Sequence, residues 1–202
     1  MELTIEITKE FVKDKIESIK RPDYPFRSRY RHTLRVLMWC ERLQKQLGGD
    51  LEVLRYSALL HDCDWNGTEN HAITSYHTAK KFLDKFELED EFKRKVLEGV
   101  RYHNEQGVEG LSKETYILMD ADELDEVGAV CIMWDILAEQ NESEEVSYKS
   151  VLDRIKKYSP DSQVIIGKLN FDYSREIYMR KVEFQERFIK EAEEELEIEL
   201  KY

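Results

Sequence analysis

The chain has 202 residues, 41% of them hydrophobic and 37% charged, with a formal net charge of −12. That length suits one soluble globular domain with a sizeable core, and no apolar run approaches the ~18–20 residues needed to span a membrane. So acidic a chain is repelled by polyanions, which argues against a nucleic-acid polymer as partner, whereas a small anion held beside a bound cation remains compatible with it.

The opening residues, Met1-Glu2-Leu3-Thr4-Ile5-Glu6, carry neither the basic nor the apolar region of a secretory leader. Apolar residues recur at helical spacing, and only three prolines interrupt them, Pro22, Pro25 and Pro160. The pattern predicts an all-α fold. A first helix is expected from about Lys9 to Lys20, and Arg21-Pro22-Asp23-Tyr24-Pro25 then imposes a turn or extended segment. A second runs from about Ser28 to Leu47 and stops at Gly48-Gly49. Asp50 is an N-cap for a third, Leu51 to about His61, on which Leu51, Leu54, Ala58 and His61 share a face. Asp64 to Asn70 reads as a polar loop.

Two helices follow, about His71 to Phe86 and about Asp90 to Asn104, the latter with Val96, Val100 and His103 on one side. Ser112 can cap a helix that carries Tyr116, Met119 and Asp122, and more helix is expected from about Glu126 to Glu139. Residues 140–147 read as an exposed acidic loop. The last helix, about Tyr173 to Glu199, places Ile177, Phe184, Phe188, Ala192 and Leu196 on its buried stripe, and its acidic end is expected to fray. No repeat and no linker divides the chain. Cys40, Cys63 and Cys131 are odd in number and lack a CxxC spacing, which points to a reducing, cytoplasmic location.

His61-Asp62 closes the apolar run Tyr56-Ser57-Ala58-Leu59-Leu60. An imidazole and a carboxylate side by side at the mouth of a buried helix are costly to keep there without a partner, and a divalent metal is the obvious one. His32, in His32-Thr33-Leu34-Arg35-Val36, and Asp122, in Asp120-Ala121-Asp122-Glu123-Leu124-Asp125, supply further ligands. Two imidazoles and two carboxylates suit Mn²⁺, Co²⁺, Ni²⁺, Fe²⁺ or Mg²⁺ better than thiolate-seeking ions.

The ordered set His32, His61-Asp62 and Asp122 resembles the HD-domain superfamily of metal-dependent phosphohydrolases. Within it, a subgroup of small stand-alone proteins carries H-x-x-R-V around the first histidine, A-x-x-H-D around the doublet and a D-A-D-x-L-D-x-x-G-A block; His32–Val36, Ala58–Asp62 and Asp120–Ala129 match these. The resemblance covers roughly residues 25 to 190. It implies a single helical HD domain over 1–202, with a core of about 25–140 and a C-terminal helical completion of about 148–200. It selects Asp122 over Asp120 and Asp125 as the last ligand, and it implies hydrolysis by a water that the metal activates.

Further residues are read beside that resemblance. Asp62 belongs to the catalytic set as well as to the ligands. His71 and Ser75 match the subgroup's H-x-x-x-S element, so His71 either binds phosphate or acts as general acid, or simply neighbours a helix cap. Asp64 either orients the attacking water or serves a turn. His103 is a substrate or ligand contact, a ligand of a second metal, or a core residue, and His77 is a surface residue. Arg35 is a phosphate clamp or a support for a ligand carboxylate. Lys168 and Arg180 match a K-L…R pattern of the subgroup and are expected to touch substrate. Arg27 and Arg29 are either anion contacts or a solvated basic turn. Where the subgroup carries an arginine after the Gly-Ala pair, this chain has Trp134 and Asp135, which puts an anion-binding residue in doubt; Trp134 either stacks on a base or belongs to the core.

The expected activity is hydrolysis of a nucleotide or other small phosphate ester, of nucleotidase or nucleoside triphosphate pyrophosphohydrolase type. Two other readings stay open: a cyclic-nucleotide-type phosphodiesterase with two metals, which would call on His71 and His103, and a non-enzymatic regulatory protein with a structural metal.

Overall fold

A computed structural model describes residues 2–19, 28–65, 70–159 and 162–201. Among the described residues every regular element is helical, so the fold is all-α. None of these helices is long and apolar enough to cross a membrane.

Local chemistry sets the helix ends. Helix α1, Ile5–Ser18, begins four residues before the apolar spacing predicts, because the Thr4 hydroxyl accepts the Ile7 N–H and caps the end. Lys20 and the turn at residues 21–25 lie outside the described residues. Helix α2, Arg29–Leu47, starts at the Ser28 cap and stops at Gly48 and Gly49, whose φ of +76° and +93° suits glycine alone without strain. Helix α3, Leu51–Leu60, is capped by Asp50, which accepts the N–H groups of Glu52 and Val53. Then come α4, His71–Leu83, which ends three residues before Phe86, and α5, Asp90–Tyr102.

The Ser112 hydroxyl accepts the Thr115 N–H at the start of α6, Lys113–Asp125. Helix α7, Ala129–Glu142, begins only after Gly128, and it absorbs residues 140–142 that read as loop. Helices α8, Tyr148–Tyr158, and α9, Ser162–Lys168, fill a stretch that the apolar spacing left without bounds; a reciprocal Ser147–Ser150 capping box marks the start of α8. Helices α10, Asp172–Glu195, and α11, Glu197–Lys201, meet at Leu196.

The chain forms two compact units, with the division after Asp122. In the first, α3 packs against α1, α2, α4 and α5. Of its ten residues, Val53, Leu54, Tyr56, Ser57, Ala58, Leu59 and Leu60 are buried and only Glu52 is exposed, and a helix buried over most of its surface belongs at a centre rather than at a surface. Val12, Phe82, Leu83, Val96 and Val100 close the core around it, and the rings of Phe11 and Phe82 stack at 4.0 Å. Two carboxylates seat α6. Glu98 of α5 accepts the Ser112 N–H at 2.6 Å and the Thr115 hydroxyl at 2.9 Å, and Glu114 of α6 accepts the Asp50 N–H at 2.7 Å.

In the second unit α7, α8 and α10 pack on one another, with α9 against α10. Gly128, at φ +84°, opens α7 against Lys181, where a Cβ would come within 3.2 Å of that side chain, and its N–H donates to Gln185. Helix α10 buries Ser174, Ile177, Tyr178, Val182 and Gln185. Its inner face is therefore turned by roughly half of one ~100° residue step from the expected stripe, with Ile177 on both, and Phe184 and Phe188 are 42% and 37% exposed. Between α7 and α8 the buried Arg154 guanidinium serves Glu142 at 2.5 Å, Asp135 at 3.6 Å and Glu139 at 3.7 Å, and lies over the rings of Trp134 and Tyr158.

Two stability measurements check this packing. Leu60→Ala empties a fully buried position and is expected to lower unfolding free energy in denaturant titration by about 2–5 kcal/mol. Arg154→Met strands the buried Asp135 carboxylate and should cost about 3–5 kcal/mol, most of which Arg154→Met combined with Asp135→Leu recovers.

Candidate metal centre

Three helices of the first unit end or turn at one place. His32 lies one turn into α2, on the face that buries Val36, Cys40 and Leu43. His61 is the first residue after α3, and His103 holds the same position after α5. Each of these two rings turns its Nδ1 onto the carbonyl three residues back: His61 to Ala58 at 2.7 Å, His103 to Val100 at 2.9 Å. A carbonyl only accepts, so Nδ1 carries the hydrogen, and in the neutral ring Nε2 keeps its lone pair. Those carbonyls are among the last-turn groups that a helix leaves without an internal partner. The helix end is thereby satisfied and the imidazole aimed in a single bond.

Asp62 and Asp122 complete the cluster. Asp122 Oδ1 lies 3.2 Å from His32 Nε2 and 3.8 Å from His61 Nε2. Asp62 Oδ2 lies 4.0 Å and 3.9 Å from the same two nitrogens. The structure thus brings His32, His61, Asp62 and Asp122 together. Metal–ligand bonds of about 2.0–2.2 Å space neighbouring ligands about 3 Å apart and opposite ones about 4 Å apart, the range found here. His61 Nε2, Asp62 Oδ1 and Asp122 Oδ1 are buried without a hydrogen-bond partner, a costly state for three polar atoms in one space. Oxygen and imidazole donors stripped of other partners fit a divalent cation, and the His/Asp cluster is able to bind one.

A second side of the cluster adds His71 and His103. Asp62 Oδ1 lies 3.4 Å from His71 Nε2 and 3.9 Å from His103 Nε2, and the two Nε2 atoms are 3.3 Å apart. Four of the chain's five histidines therefore meet here; the fifth, His77, is exposed. His71 is the open one, with 29% of its side chain exposed against 9%, 0% and 1% for His32, His61 and His103.

The surroundings hold both carboxylates ionised and lower the pKa of two of the rings, His71 and His103. Burial pushes the Asp62 carboxyl up, but His61, Arg29 and His103 outweigh it and hold the pKa at about 2. Burial likewise opposes ionisation of Asp122, and the imidazoles of His32 and His61 hold it well below the usual carboxylate range. His103 is lowered to about 4, by burial first and then by His61. His71 is lowered by burial, with Asp62 opposing.

Arg29, open on sequence between an anion contact and a solvated basic turn, is the first residue of α2. Its guanidinium meets Asp62 Oδ2 at 2.6 Å, with 18% of the arginine side chain and 4% of the aspartate side chain exposed. The signal was its spacing of three from His32, which puts both on one face of α2. Arg27 lies outside the described residues.

The Asp64 carboxylate accepts the Thr78 hydroxyl at 2.6 Å and lies 3.9 Å from Lys15. The Ser75 hydroxyl accepts the Asp64 N–H at 3.1 Å and donates to the Asp64 carbonyl at 3.0 Å. Both are engaged in holding the turn after the doublet. Arg35 is half-buried one turn beyond His32. Lys168, half-buried at the end of α9, and Arg180, exposed on α10, belong to the second unit. Trp134 has Arg154 over its ring, and Asp135 is paired with the same arginine.

Residues 29–127 match the family model of the HD domain. The fold is similar to that of an HD-superfamily hydrolase from Bacillus thuringiensis, at a TM-score of 0.72 and 21% identity over 96% of each chain. It is similar to YpgQ of Bacillus subtilis, solved in complex with ADP, at a TM-score of 0.64 and 18% identity over 95% of this chain and 94% of that one. A predicted HD superfamily hydrolase from an uncultured Thermotogales bacterium aligns at a TM-score of 0.62 and 22% identity, over 92% of this chain and 91% of its own. No curated protein matches the chain in sequence. The matched segment carries all six histidine and aspartate side chains of the cluster, and through it the chain belongs to the HD-domain superfamily.

Proposed function

We propose that this chain is a cytoplasmic, metal-dependent phosphohydrolase acting on a nucleotide or another small phosphate ester, of nucleotidase or nucleoside triphosphate pyrophosphohydrolase type. The observation that carries the proposal is the convergence of buried donors: Asp122 Oδ1 and Asp62 Oδ2 each lie within 4.0 Å of both His32 Nε2 and His61 Nε2, and His61 Nε2 and Asp122 Oδ1 make no hydrogen bond. We assign His32, His61, Asp62 and Asp122 as ligands of one divalent ion. The hydrolase fold of the neighbours supports the reaction class, and the ADP bound by YpgQ supports a nucleotide as substrate class. Three free thiols, Cys40, Cys63 and Cys131, support a reducing compartment.

When bound, the ion polarises a phosphoryl oxygen and lowers the pKa of a coordinated water toward neutrality. The side chains do the rest. Asp62 turns Oδ1 toward His71 and His103 and holds the attacking water between them. His71, the half-exposed ring, carries the proton between the site and solvent; being uncharged at neutral pH, it is ready to accept one and hand it on. Burial of His32, His61 and His103 keeps bulk water from the inner side. Arg35, Lys168 and Arg180 are proposed as phosphate contacts on the resemblance alone. Asp64 and Ser75 we assign to fixing the turn.

The cluster of Asp62, His71 and His103 favours a second reading, a two-metal phosphodiesterase of cyclic-nucleotide type. Metal stoichiometry separates the two: one ion per chain for the first, two for the second.

Metal-stripped protein given back Mn²⁺, Co²⁺, Ni²⁺ or Mg²⁺ is expected to hydrolyse at least one member of a panel of nucleoside mono-, di- and triphosphates and cyclic nucleotides, and Asp62→Ala to lose that turnover. Folded protein that binds metal yet turns over nothing would point to a structural metal. In a melting assay, Mn²⁺ at a hundred times its Kd should add about 2.7 kcal/mol of stability to the wild type and none to Asp62→Ala. His71→Gln should lower kcat by about 10²–10⁴-fold with metal affinity unchanged; loss of one metal equivalent in that variant would favour the two-metal reading.

A further inference from the structure

Asp62 Oδ2 faces the donor set, 4.0 Å from His32 Nε2 and 3.9 Å from His61 Nε2, yet the Arg29 guanidinium holds it at 2.6 Å. Two carboxylates and one guanidinium leave the cluster with one excess negative charge. A divalent ion turns that into one excess positive charge, and the ion then repels a guanidinium a few ångströms away unless an anion lies between them. Arg29 opens α2, and it shares a face with His32 at a spacing of three, so a guanidinium that leaves Asp62 stays beside the cluster. Its planar fork matches two oxygens of a phosphate.

Resting on the metal reading above, we infer that Arg29 is an exchangeable counter-ion: it neutralises Asp62 in the metal-free protein, leaves that carboxylate when the divalent ion binds, and then holds the phosphate of the substrate. Metal and phosphate affinities are thereby coupled through one side chain, and the metal-loaded site favours an anion that the metal-free site repels.

The test is calorimetric titration of the full chain with Mn²⁺, with and without inorganic phosphate, for wild type, Arg29→Gln and Arg29→Lys, each first shown folded by its melting curve. Without phosphate, Arg29→Gln is expected to bind Mn²⁺ roughly fivefold or more tightly than wild type, because the competing cation is gone. With phosphate, wild-type affinity for Mn²⁺ should rise, Arg29→Gln should not respond, and Arg29→Lys, which keeps the charge without the fork, should respond in part. Unchanged or weaker Mn²⁺ binding by Arg29→Gln, or an equal phosphate response in all three proteins, overturns the role of Arg29. Wild type that binds Mn²⁺ and hydrolyses phosphate esters while the variants match it removes only this inference; wild type that binds no Mn²⁺ removes the metal reading and this inference together.

Discussion

His61 Nδ1 meets the Ala58 carbonyl at 2.7 Å, at the point where α3 stops, and much of the centre follows from that bond. It satisfies a terminal carbonyl inside the core, fixes which nitrogen keeps a lone pair, and points that nitrogen at Asp122 and Asp62. Because the last turns of α3, Tyr56 to Leu60, are buried throughout, its end is a dry place. Polar atoms there interact strongly with one another and are costly to leave unpaired. His103 repeats the device at the end of α5. Two helix ends thus deliver two rings by the same local geometry, and the packing of α3 on α5 brings them within 4.9 Å, centroid to centroid.

The other ligands depend on bonds far apart in sequence. Asp122 reaches the cluster because α6 is seated by Glu98 on its capping turn and by Glu114 on the cap of α3. These carboxylates bond backbone and hydroxyl groups at helix starts. Their work is to set the height and rotation of a helix that carries one ligand. A site of this kind depends on the rigidity of its supports, since a shift of half an ångström changes which donors share an ion.

Much of this was legible in the sequence. The all-α class followed from helical spacing, and the caps Asp50 and Ser112 stand where their residue types indicated. The histidines and aspartates that gather at the centre were visible as an ordered set. What was not legible depended on rotation or on long-range pairing. The inner face of α10 turned away from Phe184 and Phe188 because Gln185 and Val182 are drawn inward, a choice that depends on what α10 packs against. Arg29 stayed open between an anion contact and a basic turn: its spacing from His32 gives a shared face, but the reach of its guanidinium to Asp62 depends on how α2 packs on α3. Asp64 stood two residues past the doublet, yet its carboxylate turns toward Thr78. Helix α8 went unbounded although its Ser147–Ser150 box was present, since short polar caps are easily read as loop.

The central claim is that the cluster holds a divalent ion through imidazole nitrogen and carboxylate oxygen. Pulsed electron paramagnetic resonance of protein loaded with one equivalent of Mn²⁺ reads the ligand nitrogens directly. The account predicts couplings from two imidazoles in the wild type, one of which disappears in His61→Gln. A spectrum of fully hydrated Mn²⁺, or couplings that His61→Gln leaves intact, would contradict it.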